Sequence, residues 1–312
     1  MRSKIKIIIK QGVTQVSLQK IIESYVTNIE ADFGIYIKQL QTNEEVNIQG
    51  DKLFQTASVM KLPVLATLYE KAYKGEINLQ QRIQLTEQDY VPGSGVFQEM
   101  EYGIKPTIQD LATMMIIVSD NLATDKLLKI LGGVTPVKET MDRLGLNNIY
   151  IKHSIWELLS LSVGIPYQPY SSELFDEIIR RLKEQEIDWE SVVYQHNKES
   201  NVSSAKDMSL LLELFAKGEF VSTKCSREII DILHRQHYQQ RIGGLLPRNT
   251  PVANKTGSLG AMYNDAGVVY LPEDKGQYVI CVFSNGHSLE YEGDEPIAQI
   301  SKIAYEYFLD GR

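Results

Sequence analysis

The sequence predicts an α+β fold: an α/β sandwich whose antiparallel sheet is built from both termini and holds an inserted all-α domain. Apolar residues recur at helical spacing from about position 58 to 218. Strand-like stretches flank that region, at 33–37, 45–48, 267–271 and 278–283. Because both ends supply strands, we predict a discontinuous sheet domain over 15–50 and 222–312, an all-α domain over 51–221 and a cleft between them.

Local signals place several helix ends within this outline. Thr107 and Asp110 have the spacing of a capping box, so a helix is expected to start there. Asn121 is expected to cap the following helix, because asparagine is a preferred N-cap residue. Glycines are expected to end that helix and a later one, at Gly132 and Gly218. Further helices are expected near 16–29 and 296–309.

Composition and charge exclude several classes of protein. The chain has 312 residues, of which 43% are apolar, so it can bury a sizeable core and intrinsic disorder is not expected. Lysine and arginine number 32 against 40 acidic residues, which gives a net charge of −8. A protein that binds nucleic acid normally presents a basic face, and the sequence has no basic run. Nucleic acid is therefore not a predicted partner.

The sequence predicts a protein of a reducing compartment with no transmembrane segment. No stretch reaches the roughly 18 apolar residues that a transmembrane helix needs. Residues 1–10 start with positive charge, but Lys6 and Lys10 interrupt the apolar body of a signal peptide. As the sequence stands we expect a cytoplasmic location, or secretion if a signal has been removed. Cys225 and Cys281 are too few for a disulfide framework and are expected to be structural.

The first chemical candidate is the pair Ser58 and Lys61 at the start of an apolar helical stretch. Residues three apart share one face of a helix, so the lysine amine can approach the serine hydroxyl. A serine needs a neighbouring base to become a nucleophile, and a lysine serves as that base only when its pKa is lowered. The spacing recurs at Ser17 and Ser203, so by itself the pair is equally typical of a helix start with a solvated lysine.

Two tripeptides add to this pair. Ser119-Asp120-Asn121 joins two predicted helices, and Lys255-Thr256-Gly257 begins a predicted strand beyond the helical region. Each alone is also typical of an ordinary helix–helix turn or strand edge. Glycine at 257 would allow the backbone of a ligand to approach the strand closely. The order and the structural context of the three motifs give them their meaning.

The set resembles the class A β-lactamases and the related penicillin-binding serine enzymes, whose motifs are Ser-x-x-Lys, Ser-Asp-Asn and Lys-Thr-Gly. The segment 107–124, Gly93-Ser94-Gly95 before it, and the segments 255–258 and 264–267 after it also resemble the family. About two thirds of the chain takes part in this resemblance. It implies the β-lactamase/transpeptidase-like fold and a serine hydrolase that acts through an acyl-enzyme.

The resemblance also implies catalytic roles. Ser58 would be the acylated nucleophile and Lys61 its base or proton relay. Ser119 would pass a proton to the leaving nitrogen. Lys255 would bind the substrate carboxylate and help to lower the pKa of Lys61. No metal and no cofactor is implied, and the spacing of His234 and His237, without a carboxylate or cysteine partner, does not predict a metal site.

The remaining implied residues bind substrate. Asn121 would hold the side-chain amide of the substrate, and Thr256 would share its carboxylate with the lysine before it. Gly257 leaves room for the ligand, and the backbone N–H groups of Ser58 and Ser258 would form the oxyanion hole. The expected partner is a small β-lactam or an acyl-peptide.

The sequence departs from the family where a glutamate should activate water for deacylation. Glu157 stands near the expected place, but the Leu-Asn that follows the family's glutamate is missing. The segment 158–200 is also longer than the family's loop and could form a surface helix with two loops, cover the cleft or mediate self-association. Glu157 is the candidate deacylating base. Two alternatives remain: a penicillin-binding D,D-peptidase or esterase with slow deacylation, and a non-catalytic binding protein.

Overall fold

The computed structural model describes residues 16–288 and 292–311. In those ranges the helices are α1 (Leu18–Val26), α2 (Lys61–Tyr73), α3 (Ile108–Ile117), α4 (Asn121–Leu131), α5 (Thr135–Arg143), α6 (Ile155–Ser162), α7 (Ser172–Lys183), α8 (Ala205–Lys217), α9 (Thr223–Leu233) and α10 (Asp294–Leu309). The strands are β1 (Asp32–Gln39), β2 (Glu45–Ile48), β3 (Leu53–Gln55), β4 (Ile149–Tyr150), β5 (Val202–Ser204), β6 (Val252–Leu259), β7 (Met262–Tyr270) and β8 (Gln277–Asn285). The signal-peptide interpretation of residues 1–10 falls outside the described residues.

The main sheet confirms the predicted fold class. Its five strands run antiparallel in the order β2-β1-β8-β7-β6. β1, from the start of the chain, pairs with β8, from its end, along eight residues, from Asp32 opposite Asn285 to Gln39 opposite Tyr278. The sheet is therefore assembled from both ends of the chain.

Helices cover both faces of this sheet. Ile35 and Ile37 of β1 point to a core shared with α1 and α10, whereas Tyr36 between them points to the core of the helical region. This alternation follows from the two-residue period of a strand. Cys281 of β8 lies in the core of the helical region. It is fully buried and forms no disulfide, as the sequence predicts for a structural thiol.

The helical region between the two parts of the sheet also holds a small sheet of order β3-β5-β4, which the expectation of an all-α domain does not include. α9 lies beyond the predicted boundary at 221, yet it packs on α2 and α3 as well as on β6. α9 therefore packs into the core of the helical region as well as against the sheet. The domain boundaries themselves stay a prediction.

The helix ends follow the sequence signals with one exception. The capping box of Thr107 and Asp110 forms as predicted, and Gly132 and Gly218 end their helices with φ of 92° and 74°. The prediction that Asn121 caps α4 is wrong, because Asp120 is the N-cap and accepts a hydrogen bond from the Ala123 N–H at 2.8 Å. Asn121 is instead the first helical residue, and its side chain is left for other contacts.

Candidate active site

Ser58 lies in a short 3₁₀ helix, Ala57–Met60, that leads into α2. Ala57 has φ of 44°, a left-handed conformation that is strained for a residue with a side chain. Two contacts hold this turn in place. The Ala57 N–H donates to Oε1 of Gln55 at 2.6 Å, and the Thr56 N–H donates to the carbonyl of Asn201 at 2.9 Å. The serine is therefore presented by a fixed, strained turn at the wall of the cleft.

Lys61 is fully buried beneath this turn. Its Nζ donates hydrogen bonds to the carbonyl of Ser119 at 2.7 Å, to Oγ of Ser119 at 3.1 Å and to Oδ1 of Asn121 at 2.9 Å. Burial lowers the pKa of Lys61 to about 7, although the charges of Asp120 and Asp125 oppose the shift. A substantial fraction of this amine is thus neutral near neutral pH, as a general base requires.

The loop before α4 holds Ser119 and Asn121 against the lysine. Ser119 has φ of 56°, again left-handed. Nδ2 of Asn121 donates to the carbonyl of Pro92 at 2.8 Å, which fixes the amide so that its oxygen faces Lys61. Oγ of Ser94 donates to the Ser119 carbonyl at 2.7 Å. The glycine-flanked serine of the 93–95 segment thus takes part in the same network.

Asp120 is buried and supports the motif from behind. Its carboxylate accepts hydrogen bonds from the N–H groups of Val96 and Phe97 at 2.7 and 2.9 Å, besides that of Ala123. Gly95 packs so closely that a Cβ there would lie 2.5 Å from the carboxylate. Asp120 therefore ties the 93–97 loop to the start of α4.

We expect Asp120→Ala to destabilise the protein by about 3 kcal/mol, because three buried N–H groups lose a charged acceptor. Urea denaturation of the purified variant measures this loss. Asp142→Ala, which removes a carboxylate exposed on α5, is the matched control and should change stability by less than about 0.5 kcal/mol. A loss at Asp120 no larger than that of the control would contradict the role assigned to these hydrogen bonds.

The third motif lies on β6, whose edge faces the nucleophile. Lys255 is fully buried, and its Nζ donates to the carbonyl of Thr256 at 2.6 Å. Burial, followed by the charge of Lys61, holds the pKa of Lys255 well below its ordinary value. Burial is thus the main cause of the lowered pKa of both amines. A Cβ on Gly257 would lie 2.8 Å from the Ser58 nitrogen, so only glycine fits there.

Arg241 is a buried cation in the cleft wall that the sequence motifs did not reveal. Its guanidinium donates to the carbonyls of Gly257 and Asn264, both at 2.7 Å, and to Oγ of Ser258. Nε pairs with Asp294 at 2.6 Å. Arg241 therefore fixes the outer part of β6 and adds positive charge beside Lys255. A lone arginine in an irregular stretch carries no signal of its own in the sequence.

These residues surround one cleft of about 830 Å³. Of the predicted site residues, five line it directly: Ser58, Ser119, Thr256, Gly257 and Ser258. Lys61, Asn121 and Lys255 lie just behind them in the network already described. Among the described residues no group of three metal-ligating side chains comes together, and none of the described helices is long and apolar enough to cross a membrane.

Glu157 is the one predicted site residue that the structure does not bring to this cluster. Its Oε1 lies 3.1 Å from Nδ1 of His153. α6 is oriented by Asp125, which accepts the N–H groups of Ile155 and Trp156 at 2.7 and 2.8 Å. Leu159 of the same helix faces Gly93, beside the amide of Asn121. Residues two apart on a helix point roughly 200° apart, so Glu157 points away from that side.

Comparison with known proteins agrees with the geometry. The model of the β-lactamase enzyme family matches residues 16–308. The chain belongs to this family. β-Lactamase VEB-1 of Pseudomonas aeruginosa is 26% identical over 297 residues, in a match that covers 93% of this chain and 89% of VEB-1. The resemblance drawn from the three motifs is thereby confirmed.

Solved structures show the same fold. PBP-A superposes with a TM-score of 0.76 at 24% identity, covering 94% of this chain and 96% of PBP-A. A PBP-A mutant solved as an acyl-enzyme complex with penicillin G superposes with a TM-score of 0.74, again at 24% identity and with the same coverage. The β-lactamase/transpeptidase-like fold predicted from the motifs is therefore confirmed.

Proposed function

We propose that this protein is a serine β-lactam hydrolase that acts through an ester on Ser58. The observation that supports this most strongly is the buried amine of Lys61, hydrogen-bonded to Ser119 in a cleft that both serines line. Membership of the β-lactamase enzyme family and the similarity to VEB-1, which is named a β-lactamase, agree with it.

In the proposed acylation step, neutral Lys61 takes the hydroxyl proton of Ser58 while Oγ bonds to the lactam carbonyl carbon. The C–N bond of the lactam then breaks, and the proton reaches the leaving nitrogen through Ser119. The hydrogen bond from Lys61 to Oγ of Ser119 at 3.1 Å provides the second part of this route. A base with a pKa of about 7 is suited to this transfer at neutral pH.

The proposed binding contacts lie on two sides of the nucleophile. Lys255 and Thr256, with the positive charge of Arg241 beside them, would hold the substrate carboxylate. Asn121 would hold the side-chain amide of the substrate. The backbone N–H groups of Ser58 and Ser258 would stabilise the oxyanion, a contribution of roughly 3 kcal/mol per donor in well-studied enzymes.

Deacylation separates this proposal from a second one. The carboxylate of Glu157 lies beside His153, whereas the described hydrogen bonds of Lys61 go to Ser119 and Asn121. An enzyme with no base beside the ester would keep its acyl group and behave as a penicillin-binding D,D-peptidase or slow esterase. This orientation is the specific observation in favour of that second candidate. The substitution of Glu157 described next decides whether this residue is the deacylating base.

We expect Glu157→Gln to change the deacylation rate by less than about twofold, because its carboxylate lies beside His153 and points away from the side of α6 on which Leu159 faces Gly93. Deacylation is measured by the loss of the adduct mass after excess penicillin has been removed. Glu190→Gln is the matched control, since Glu190 is an exposed carboxylate that follows the cleft residue Trp189. A slowing of about 10²-fold or more in Glu157→Gln alone would establish Glu157 as the base.

Hydrolysis of benzylpenicillin, followed by its absorbance, tests the proposed function itself. Steady consumption over many turnovers supports a hydrolase. A burst of one equivalent that then stops supports the penicillin-binding alternative with slow deacylation. No consumption and no adduct in a folded sample would overturn both and favour the non-catalytic binding protein.

A further inference from the structure

We propose that Trp189 is the platform for the acyl side chain of the substrate, so that the site prefers acyl donors with a planar aromatic side chain. The inference rests on the proposed acyl transfer at Ser58. It adds a specificity-determining residue from the 158–200 segment, which the sequence analysis describes as longer than the family's loop.

Trp189 lies between α7 and the short 3₁₀ helix Val192–Tyr194. The indole lines the same cleft as Ser58, yet 56% of Trp189 is exposed. A half-exposed aromatic side chain at the wall of a cleft offers its ring to a ligand in that cleft.

The indole is also held in place. Its ring packs on Tyr194 with centroids 5.0 Å apart at an angle of 43°. It further lies against the β6–β7 turn, where a Cβ on Gly260 would come within 2.8 Å of the ring. One side of Trp189 is therefore fixed by Tyr194 and Gly260, and the exposed part is presented to the cleft. A ring that is already ordered binds a ligand at little entropic cost.

The surroundings of Trp189 favour an aromatic group over a cationic one. Ile187, Leu259 and Ala261 line the cleft together with the indole, whereas the polar residues Ser58, Ser119 and Thr256 line it where the reacting groups would lie. Within the described wall of the cleft no acidic residue is present. A cationic side chain would thus find no counter-charge there, whereas a planar ring can stack on the indole.

The test compares two β-lactams with the same ring system. Benzylpenicillin carries a phenylacetyl side chain, whereas 6-aminopenicillanic acid lacks the whole acyl group. Trp189→Ala is expected to lower the acylation rate constant for benzylpenicillin about tenfold and that for 6-aminopenicillanic acid by less than about twofold, because only the first loses a stacked ring. Trp189→Phe, which keeps an aromatic ring, should restore most of the acylation rate constant for benzylpenicillin. Tyr73→Ala removes an exposed aromatic at the end of α2, away from the cleft, and should affect neither penicillin.

A second variant keeps the indole but moves it. Gly260→Ala places a methyl group against the ring, at a φ of 54° that also strains the turn, so the readout is the ratio of the two acylation rate constants, in which the preference for benzylpenicillin should fall. Equal losses for both penicillins in Trp189→Ala, or an unchanged ratio, would overturn the inference and leave Trp189 a structural residue. If the unmodified protein is acylated by neither penicillin, the proposed function fails and not the role of Trp189 alone.

Discussion

Ser58→Ala is expected to abolish covalent labelling by a fluorescent penicillin and to lower β-lactam turnover by about 10⁴-fold or more, as the loss of a catalytic nucleophile does in other serine enzymes. The variant keeps the buried amine of Lys61 and the binding residues of β6. It lacks only the oxygen that would form the ester. Labelling is read on a denaturing gel, where only a covalent adduct survives, and turnover from the absorbance of the drug.

The chain supplies a matched control for this experiment. Ser17 and Lys20 have the same spacing as Ser58 and Lys61, but Ser17 caps α1 at a distance from the cleft. Ser17→Ala should therefore be labelled like the unmodified protein. Undiminished labelling of a folded Ser58→Ala variant would show that another residue is acylated and would contradict the assigned nucleophile.

Lys61→Met is expected to slow acylation by about 10²- to 10⁴-fold, the contribution typical of a positioned general base. Methionine has similar length and no charge, so it suits the buried site of this lysine better than a polar residue would. The variant should also lose a pH dependence that the unmodified enzyme shows. Only the neutral amine accepts the proton of Ser58, so the acylation rate should fall about tenfold per pH unit below the Lys61 pKa of about 7 and level off above it.

The measurement is the rate of adduct formation between pH 5 and 9 for the unmodified enzyme, Lys61→Met and the exposed control Lys20→Met. We expect the rate to fall below pH 7 in the unmodified enzyme and in Lys20→Met. In Lys61→Met we expect a slow rate that does not change with pH. If the rate of Lys61→Met is lower but falls with decreasing pH in the same way, another group titrates. That result would contradict Lys61 as the base.

Local chemistry in the sequence predicted most of the fold and the centre of the site. The strands at both ends could be recognised because their periodicity and β-branched residues are local properties. Ser58, Lys61 and Ser119 could be recognised because their motifs are short and keep a fixed order along the chain. The structure then brings them together through contacts between residues about 60 positions apart, such as the hydrogen bond from Lys61 to Asn121.

The parts that sequence analysis missed depend on contacts between distant segments. Asn121 has the chemistry of a helix cap, yet Asp120 takes that position because the Asn121 amide is used by Lys61 and Pro92. Arg241 gains its place in the site through carbonyls of β6 and β7, Oγ of Ser258 and the carboxylate of Asp294. The spacing of the motifs predicts neither the N-cap at Asp120 nor the position of Arg241.

The same limit applies to the inserted segment. The position of Glu157 along the chain suggested a deacylating base, but the direction of a helical side chain depends on how the helix is docked. Here Asp125 sets that orientation, and the carboxylate of Glu157 lies beside His153. Trp189 could be noticed in the sequence, whereas its packing on Tyr194 and Gly260 requires the turn between β6 and β7.

Intact-protein mass spectrometry during incubation with benzylpenicillin, alongside the loss of the drug, tests the central claim most directly. We predict one adduct per chain, mapped to Ser58 by digestion, which forms, decays and forms again while the drug is steadily consumed. Drug consumption by a folded protein that never carries an adduct, or an adduct on any other residue, would contradict acyl transfer through Ser58.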